Sequence, residues 1–220
     1  MQRRILSIAI IGLVLMLYAF LNSSYFYAEE LEWADTKNIV NTELVAYTTF
    51  YPQNVFCVDR QLIVDQLLEH PWVKQVGINW QWPNRLIVNI TERNPIAMIP
   101  VEGSYLFLDQ EGVLLPPSLN LQMLTLPIIT NADIEELERL RVIARVLSDM
   151  PEDLYELISE WNNEQQILIT RQGTQIYLGD LRDLEGKFVR LDLILNDLKR
   201  RGIVAQRIDL RILNSPVIVE

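Results

Sequence analysis

The chain has 220 residues, half of them apolar, and its 19 Lys+Arg against 29 Asp+Glu give a formal charge of −10. That length holds about one to two ordinary domains, and the apolar share suits a buried core better than a disordered chain. An acidic body is repelled by a phosphate backbone, which argues against nucleic-acid binding, and a single cysteine excludes an intrachain disulfide framework.

Ile5 to Leu21 is uncharged and nearly all apolar, broken only by Ser7, Gly12 and Tyr18. As a helix it spans about 25 Å, slightly short of a ~30 Å hydrocarbon core. Tyr25, Phe26 and Tyr27 follow and suit an interfacial aromatic belt. Arg3 and Arg4 precede the run, while Glu29, Glu30 and Glu32 come after it, so the N-terminus is expected in the cytoplasm and residues 22–220 outside. A cleaved signal peptide is the competing reading. It needs a shorter apolar core and a small-x-small site, for which Asn22-Ser23-Ser24 is a poor match. The expectation is an uncleaved single-pass anchor.

Leu31 to Ala34 reads as a short strand. Asn41 or Thr42 is placed to cap a short helix from about Glu43, and Asp59 to cap one running to Glu69 with Leu62, Ile63, Leu67 and Leu68 on one face. Between them Cys57 lies in Val55-Phe56-Cys57-Val58, where a thiol is expected as a small buried hydrophobe. The helix stops at Pro71. An alternating strand follows with Val76, Ile78 and Trp80 on one face, Pro83-Asn84 turns, and a second strand carries Leu86, Val88 and Ile90. Trp72 and Trp80 are expected in the core. Trp82 beside the turn is either a surface residue or packed on the turn itself.

Asn94-Pro95 and Pro100 mark a boundary, because proline cannot donate to a ladder. Beyond it, Tyr105–Leu108 and Val113–Leu115 flank the four-residue loop Asp109-Gln110-Glu111-Gly112. Pro116, Pro117 and Ser118 break the pattern. Asp133 with Glu136 resembles a capped helix start, followed by the stripe Leu137, Leu140, Ile143, Ala144 and Leu147 and a stop at Pro151. Three strands are expected at Leu154–Ser159, Gln166–Thr170 and Thr174–Leu178, with Gly173 turning the last pair. A helix over about Leu184–Arg200 ends at Gly202, and strands at Ala205–Ile212 and Val217–Val219 come last, ahead of Glu220.

Reactive groups are scarce. His70 is the sole histidine and reads as a residue at a helix C-terminus favoured by the dipole. One His and one Cys cannot assemble an ordinary zinc site or mark out a nucleophile triad, and no phosphate-cradling glycine loop occurs. Glu135, Glu136 and Glu138, or Asp149, Glu152 and Asp153, could in principle serve as a glycan-cleaving carboxylate pair. Clustered around one predicted helix, they read more simply as a solvated face. No catalytic residue, cofactor or metal is expected.

The run His70-Pro71-Trp72-Val73, with Trp82-Pro83 and Glu92-Arg93-Asn94-Pro95-Ile96-Ala97 after it, resembles the Pro-Trp-Val … Trp-Pro … Glu-Arg-x-Pro-x-Ala signature of the POTRA module in FtsQ/DivIB-type cell-division proteins. Tyr105 through Gly112 is similar to the family's aromatic-x-x-Asp-x-x-Gly element. Gly179-Asp180-Leu181 with Leu184-Glu185-x-Lys187 resembles its Leu-Gly … Leu-x-x-Lys segment, and Ile208-Asp209-Leu210-Arg211 its near-terminal Asp-Leu-Arg strand. One departure is Trp33-Ala34-Asp35-Thr36, where the family has Val-x-Gly-Asn. The implied fold is α+β: a single N-terminal transmembrane helix in residues 1–22, a POTRA module of βααββ order in 23–99, and a second mixed-sheet domain with two helices in 100–220.

The resemblance further implies a non-catalytic scaffold at the bacterial inner membrane and division septum. It would bind FtsB/DivIC-like and FtsL-like proteins outside the membrane, with an FtsW/FtsI-type synthase as a possible further partner, and help regulate septal peptidoglycan synthesis. Arg211, Ile212 and Asn214 follow the Asp-Leu motif where the family's partner contacts lie. Val217, Ile218 and Val219 are read directly as a final strand, either an open edge or ordinary sheet core. The alternatives are a POTRA-bearing envelope secretion or assembly protein and an anchored peptidoglycan hydrolase.

Overall fold

The computed structural model describes residues 2–34, 36–117, 126–181, 183–212 and 215–219. The expected turn at Asp35, the break at Ser118, and Glu220 lie outside them. The chain divides into two compact units, Met1–Arg93 and Asn94–Glu220.

The first unit begins with helix α1 (Gln2–Leu21), whose 20 residues correspond to about 30 Å, although its first turn carries Arg3 and Arg4 and the apolar run within it stays slightly short of a hydrocarbon core. Its stretch Arg4–Leu21 has a mean hydropathy of 2.4, long and apolar enough to cross a membrane. The freed carbonyls at its end are capped. Asn22 donates its backbone N–H and its side-chain Nδ2 to the Tyr18 carbonyl at 3.0 and 2.9 Å, and Ser23 Oγ donates to Phe20 at 2.6 Å. A 3-10 turn (Ser24–Phe26) leads to β1 (Tyr27–Ala28) and β2 (Leu31–Ala34).

Helix α2 (Asn41–Tyr47) starts two residues before the expected position, with Val40 at its cap and no side-chain cap bond, so neither Asn41 nor Thr42 caps it. Asn41 Oδ1 instead accepts from Thr36 Oγ1 at 3.0 Å. After β3 (Gln53–Asn54), helix α3 (Arg60–Leu68) is capped as expected, Asp59 accepting from the Leu62 N–H at 3.1 Å. Its buried side is narrower than predicted: Ile63 and Leu67 are buried, whereas Leu62 and Leu68 are exposed. Cys57 is also exposed, contrary to expectation. Residues 54–57 form a turn in which Asn54 accepts from Phe56 N and Cys57 N, so only Val55 of the apolar run points inward.

Strands β4 (Val73–Gln81) and β5 (Arg85–Glu92) form the expected hairpin across a cis Trp82–Pro83 bond. With β2 they make a sheet of order β2-β5-β4, β2 parallel and β4 antiparallel to β5. Leu86, Val88 and Ile90 are buried on β5, facing half-buried Val76, Ile78 and Trp80. Trp72 is core, Trp80 half-buried, and Trp82 exposed. Two signature residues explain themselves: the Glu92 carboxylate accepts from the Lys37 and Asn38 N–H groups at 2.6 and 2.9 Å, and the Trp72 carbonyl accepts from Arg93 N at 2.8 Å. His70 is not a solvated cation at the helix end. It is buried, accepts from the Trp72 N–H through Nδ1 at 3.2 Å, and stacks edge-on against Tyr47. Burial holds its pKa below 6.5 despite the nearby Glu43 and Glu92 carboxylates.

The second unit opens with β6 (Pro95–Val101). Residues 95–100, expected as a break, are therefore a strand paired with β7 (Ser104–Asp109), and Pro95 and Pro100 are accommodated within it. The Asp109 carboxylate accepts from Glu111 and Val113 N–H at 2.9 and 2.7 Å, turning the chain into β8 (Leu114–Leu115). Gly112 is needed there: its φ is +78°, and a Cβ would meet the Arg141 Cα at 2.8 Å. β9 (Ile128–Thr130) was not foreseen. Asp133 closes a local turn onto Glu135 N, and helix α4 (Leu137–Ser148) begins only after Glu136 without a side-chain cap. Leu140, Ile143, Ala144 and Leu147 are buried; Leu137 is exposed.

A short helix α5 (Glu152–Tyr155) occupies the start of what was expected as a strand, so β10 (Ile158–Asn162) comes later. Tyr155 donates from its hydroxyl to the Ile96 carbonyl at 2.7 Å, and burial pushes its pKa up to about 12. β11 (Ile167–Thr170), β12 (Gln175–Tyr177), α6 (Leu184–Arg201), β13 (Arg207–Asp209) and β14 (Val217–Val219) complete the unit. Asp183 caps α6 by accepting from Gly186 N at 3.2 Å, and Gly202 ends it left-handed. The sheet runs β14-β13-β12-β11-β10-β9-β6-β7-β8. Its inward side chains, among them Trp161, Leu168, Ile176 and Ile208, form one core with the apolar stripes of α4 and α6.

Candidate functional site

The last three strands and the loop before α6 build one surface. Ile176 and Leu178 are buried and Tyr177 is only half-buried, as alternation along β12 requires. The chain then turns at Gly179 with φ +64°, where a Cβ would lie 2.7 Å from Arg211 Cγ. A side chain at 179 would push Arg211 away.

The loop is fixed from within by Lys187. Its side chain is buried, and Nζ donates to the Leu178 carbonyl at 2.8 Å and also to the Asp180 carbonyl. A buried ammonium is costly unless it is hydrogen-bonded, and here two of its three donors go to backbone oxygens. This gives the Leu-Gly … Leu-x-x-Lys pattern a physical reason: the glycine makes the turn and the lysine ties it to α6.

β12 and β13 run parallel, pairing Gln175 with Arg207 and Tyr177 with Asp209. Asp209 faces Arg211 directly. The Arg211 Nε donates to both carboxylate oxygens at 3.0 Å, and the Arg211 backbone N–H donates to Oδ1 at the same distance. This hydrogen bonding holds the Asp209 carboxyl below its ordinary range and raises the Arg211 pKa. Arg207 and Arg211 both lie over the Tyr177 ring, at 5.1 and 5.6 Å from its centroid.

Of the residues singled out from sequence, Arg211 and Ile212 are exposed, Ile212 to 68 %. Asn214 lies outside the described residues. Val217, Ile218 and Val219 form β14, which pairs antiparallel with β13 at the end of the sheet, and all three side chains are exposed. An end strand has one row of backbone N–H and C=O groups turned away from its ladder. Tyr177, Arg207 and Gly179 complete the surface, with buried Lys187 holding it from beneath. Alternation along β12 was the available signal for Tyr177, whereas Arg207 becomes a neighbour only through the parallel pairing.

The carboxylates considered for catalysis lie elsewhere. Glu136 pairs with Arg139 at 3.0 Å and Asp149 with Arg145 at 3.4 Å, both on the outer face of α4. Among the described residues there is no group of three or more His, Cys, Asp and Glu able to hold a metal ion.

The family model for the FtsQ/DivIB cell division protein, C-terminal region, matches residues 97–211, and the FtsQ-type POTRA domain model matches residues 39–93. A cell division protein FtsQ from Myxococcus fulvus is 30% identical over 86% of this chain and 71% of its own length. An FtsQ from Zymomonas mobilis is 27% identical over 73% of this chain, which spans about half (51%) of that relative. A solved structure of the major extracytoplasmic domain of DivIB from Geobacillus stearothermophilus aligns with 50% of this chain and 97% of its own, at 17% identity and a TM-score of 0.37.

Proposed function

The chain belongs to the FtsQ/DivIB family of cell division proteins, and from that premise we propose that it is a non-catalytic, membrane-anchored scaffold whose second unit captures division partners by strand addition. α1 is the uncleaved anchor, with residues 1–22 forming a short cytoplasmic tail and the span, 23–93 the POTRA domain and 94–220 the partner-binding domain, because β6 belongs to the second unit. The partners are FtsB/DivIC-like and FtsL-like proteins at the septum. Through them, and through an FtsW/FtsI-type synthase, the scaffold regulates septal peptidoglycan synthesis.

The observation that carries this reading is β14: an end strand with three exposed apolar side chains, beside exposed Ile212 and the Arg211–Asp209 pair. An incoming strand would satisfy the outward backbone groups, while Val217, Ile218 and Val219 would lose water-exposed apolar surface. Arg211, held over Tyr177, would set register by charge.

The test is capture of the outer segments of FtsB/DivIC-like and FtsL-like proteins by residues 26–220. Deleting Pro216–Glu220, or replacing Ile212 with Glu, is expected to abolish capture while leaving the circular-dichroism spectrum unchanged. Undiminished capture by either folded variant would reject the assignment of this edge.

A further inference from the structure

The first unit is joined to α1 by contact as well as by chain. Asn54, a buried residue of β3, donates from Nδ2 to the Leu21 carbonyl at 2.6 Å, so the helix end is bonded to the turn that precedes α3. From Phe20, in the last turn of α1, rings then follow one another without a break. Phe20 meets Phe26 edge-on at 5.3 Å, and Phe26 meets Phe56 at 5.3 Å and Trp82 at 6.0 Å. Tyr25 joins Phe26 at 5.3 Å and Trp82 at 5.4 Å. The tip of the β4–β5 hairpin is also tethered, Asn84 Nδ2 donating to the Tyr27 carbonyl at 3.2 Å.

Phe26 is the buried hub of this cluster, but the rings around it are open: Tyr25 to 48 %, Phe56 to 50 % and Trp82 to 59 %. They come from three separate places in the chain: the juxtamembrane turn, the β3–α3 turn and the hairpin tip. A hydrophobic cluster that leaves its largest rings half exposed is incomplete in water. What completes it follows from continuity with α1, because Phe20 belongs to the span and every exposed ring lies within two ring contacts of it. Tyr and Trp, apolar in body and polar at one end, favour the headgroup layer. The acidic charge of the chain gives no attraction to anionic headgroups, so the contact must be aromatic.

We infer that Tyr25, Phe56 and Trp82 sit in the lipid headgroup layer as a second membrane contact, which fixes the orientation of the first unit on the bilayer. The inference rests on the reading of α1 as an uncleaved span. It also gives the exposed Cys57 a use, since this neighbour of Phe56 is the chain's single cysteine and reports directly on the site.

The experiment uses the full chain in phosphatidylcholine nanodiscs with a nitroxide on Cys57, comparing collisions with oxygen and with a water-soluble nickel chelate. The expected result is a label exposed to oxygen and shielded from nickel, with the shielding lost in the Phe56→Ser, Trp82→Ser double variant. As a second readout, lipids brominated near the glycerol backbone are expected to quench tryptophan emission, and Trp82→Phe to remove most of that quenching. A chain that does not float with vesicles overturns the anchor and this inference together. A chain that floats, but whose Cys57 label is as open to nickel as one in bulk water and whose quenching is indifferent to Trp82→Phe, overturns the membrane contact alone.

Discussion

Replacing Gly179 with Ala tests whether the surface around Arg211 depends on this turn. At φ +64° an L-residue costs about 1–2 kcal/mol relative to glycine. The new Cβ would also stand 2.7 Å from Arg211 Cγ and 3.2 Å from its Cα, so the arginine must move. The guanidinium that it pairs with Asp209 is open to solvent, which screens the pair and leaves it little weight. The backbone cost of about 1–2 kcal/mol therefore sets the scale of the loss. With a urea m-value of about 2 kcal/mol/M, the midpoint should fall by roughly 0.5–1 M. Labelling the five tryptophans with fluorine allows Trp161, in the second unit, to be followed separately by NMR. In an Arg211→Ala background the Cγ contact is gone, and the cost of Gly179→Ala should shrink toward that backbone cost alone. A loss below about 0.5 kcal/mol, or an equal loss in both backgrounds, would refute the reasoning.

His70 predicts a pH dependence. Its folded pKa lies below 6.5, so below pH 6.5 the unfolded state binds more protons, and stability declines as pH falls toward the folded value. Asn at this position keeps an acceptor near Trp72 N–H without titrating; it should flatten the slope of unfolding free energy below pH 6.5, and coincident slopes would count against a buried neutral imidazole. Lys187→Met leaves the Leu178 carbonyl without its ammonium donor in a buried setting, for an expected loss of about 1–3 kcal/mol by thermal or urea unfolding. If that variant proves as stable as the parent, the lysine does not hold the loop.

Much of the architecture was legible because its signals are local. Asp183 and Gly202 bound α6 within a residue or so of the predicted limits, and the β4–β5 hairpin declared itself through alternation on both sides of Pro83. What escaped depended on distant chain. β9 is three residues long and is a strand because β6 and β10 lie on either side of it. Cys57 was misread because an apolar tetrapeptide looks buried until the Asn54 turn bonds show which way it faces. The sequence places His70 at a helix C-terminus favoured by the dipole, and its burial is not legible there because its neighbours Tyr47 and Glu43 come from another helix. At the surface of β12–β14, the motif points to Arg211 and Ile212, but Tyr177 and Arg207 come beside Arg211 only through the β12–β13 pairing.

The order of the large sheet has a consequence in time. Apart from β9 beside β6, every neighbouring pair joins strands consecutive in the chain. As the chain emerges N-terminus first, each strand after β9 finds its partner already laid down, although the parallel pairs β9–β10 and β12–β13 close only across α4 and α6. β14 is placed last. Under the proposed function, strand capture would become possible only after β13 has docked, and β13 docks only on a completed β12. An interrupted or misfolded second unit would offer no such edge, so a bound partner would report that the pairing before it is finished.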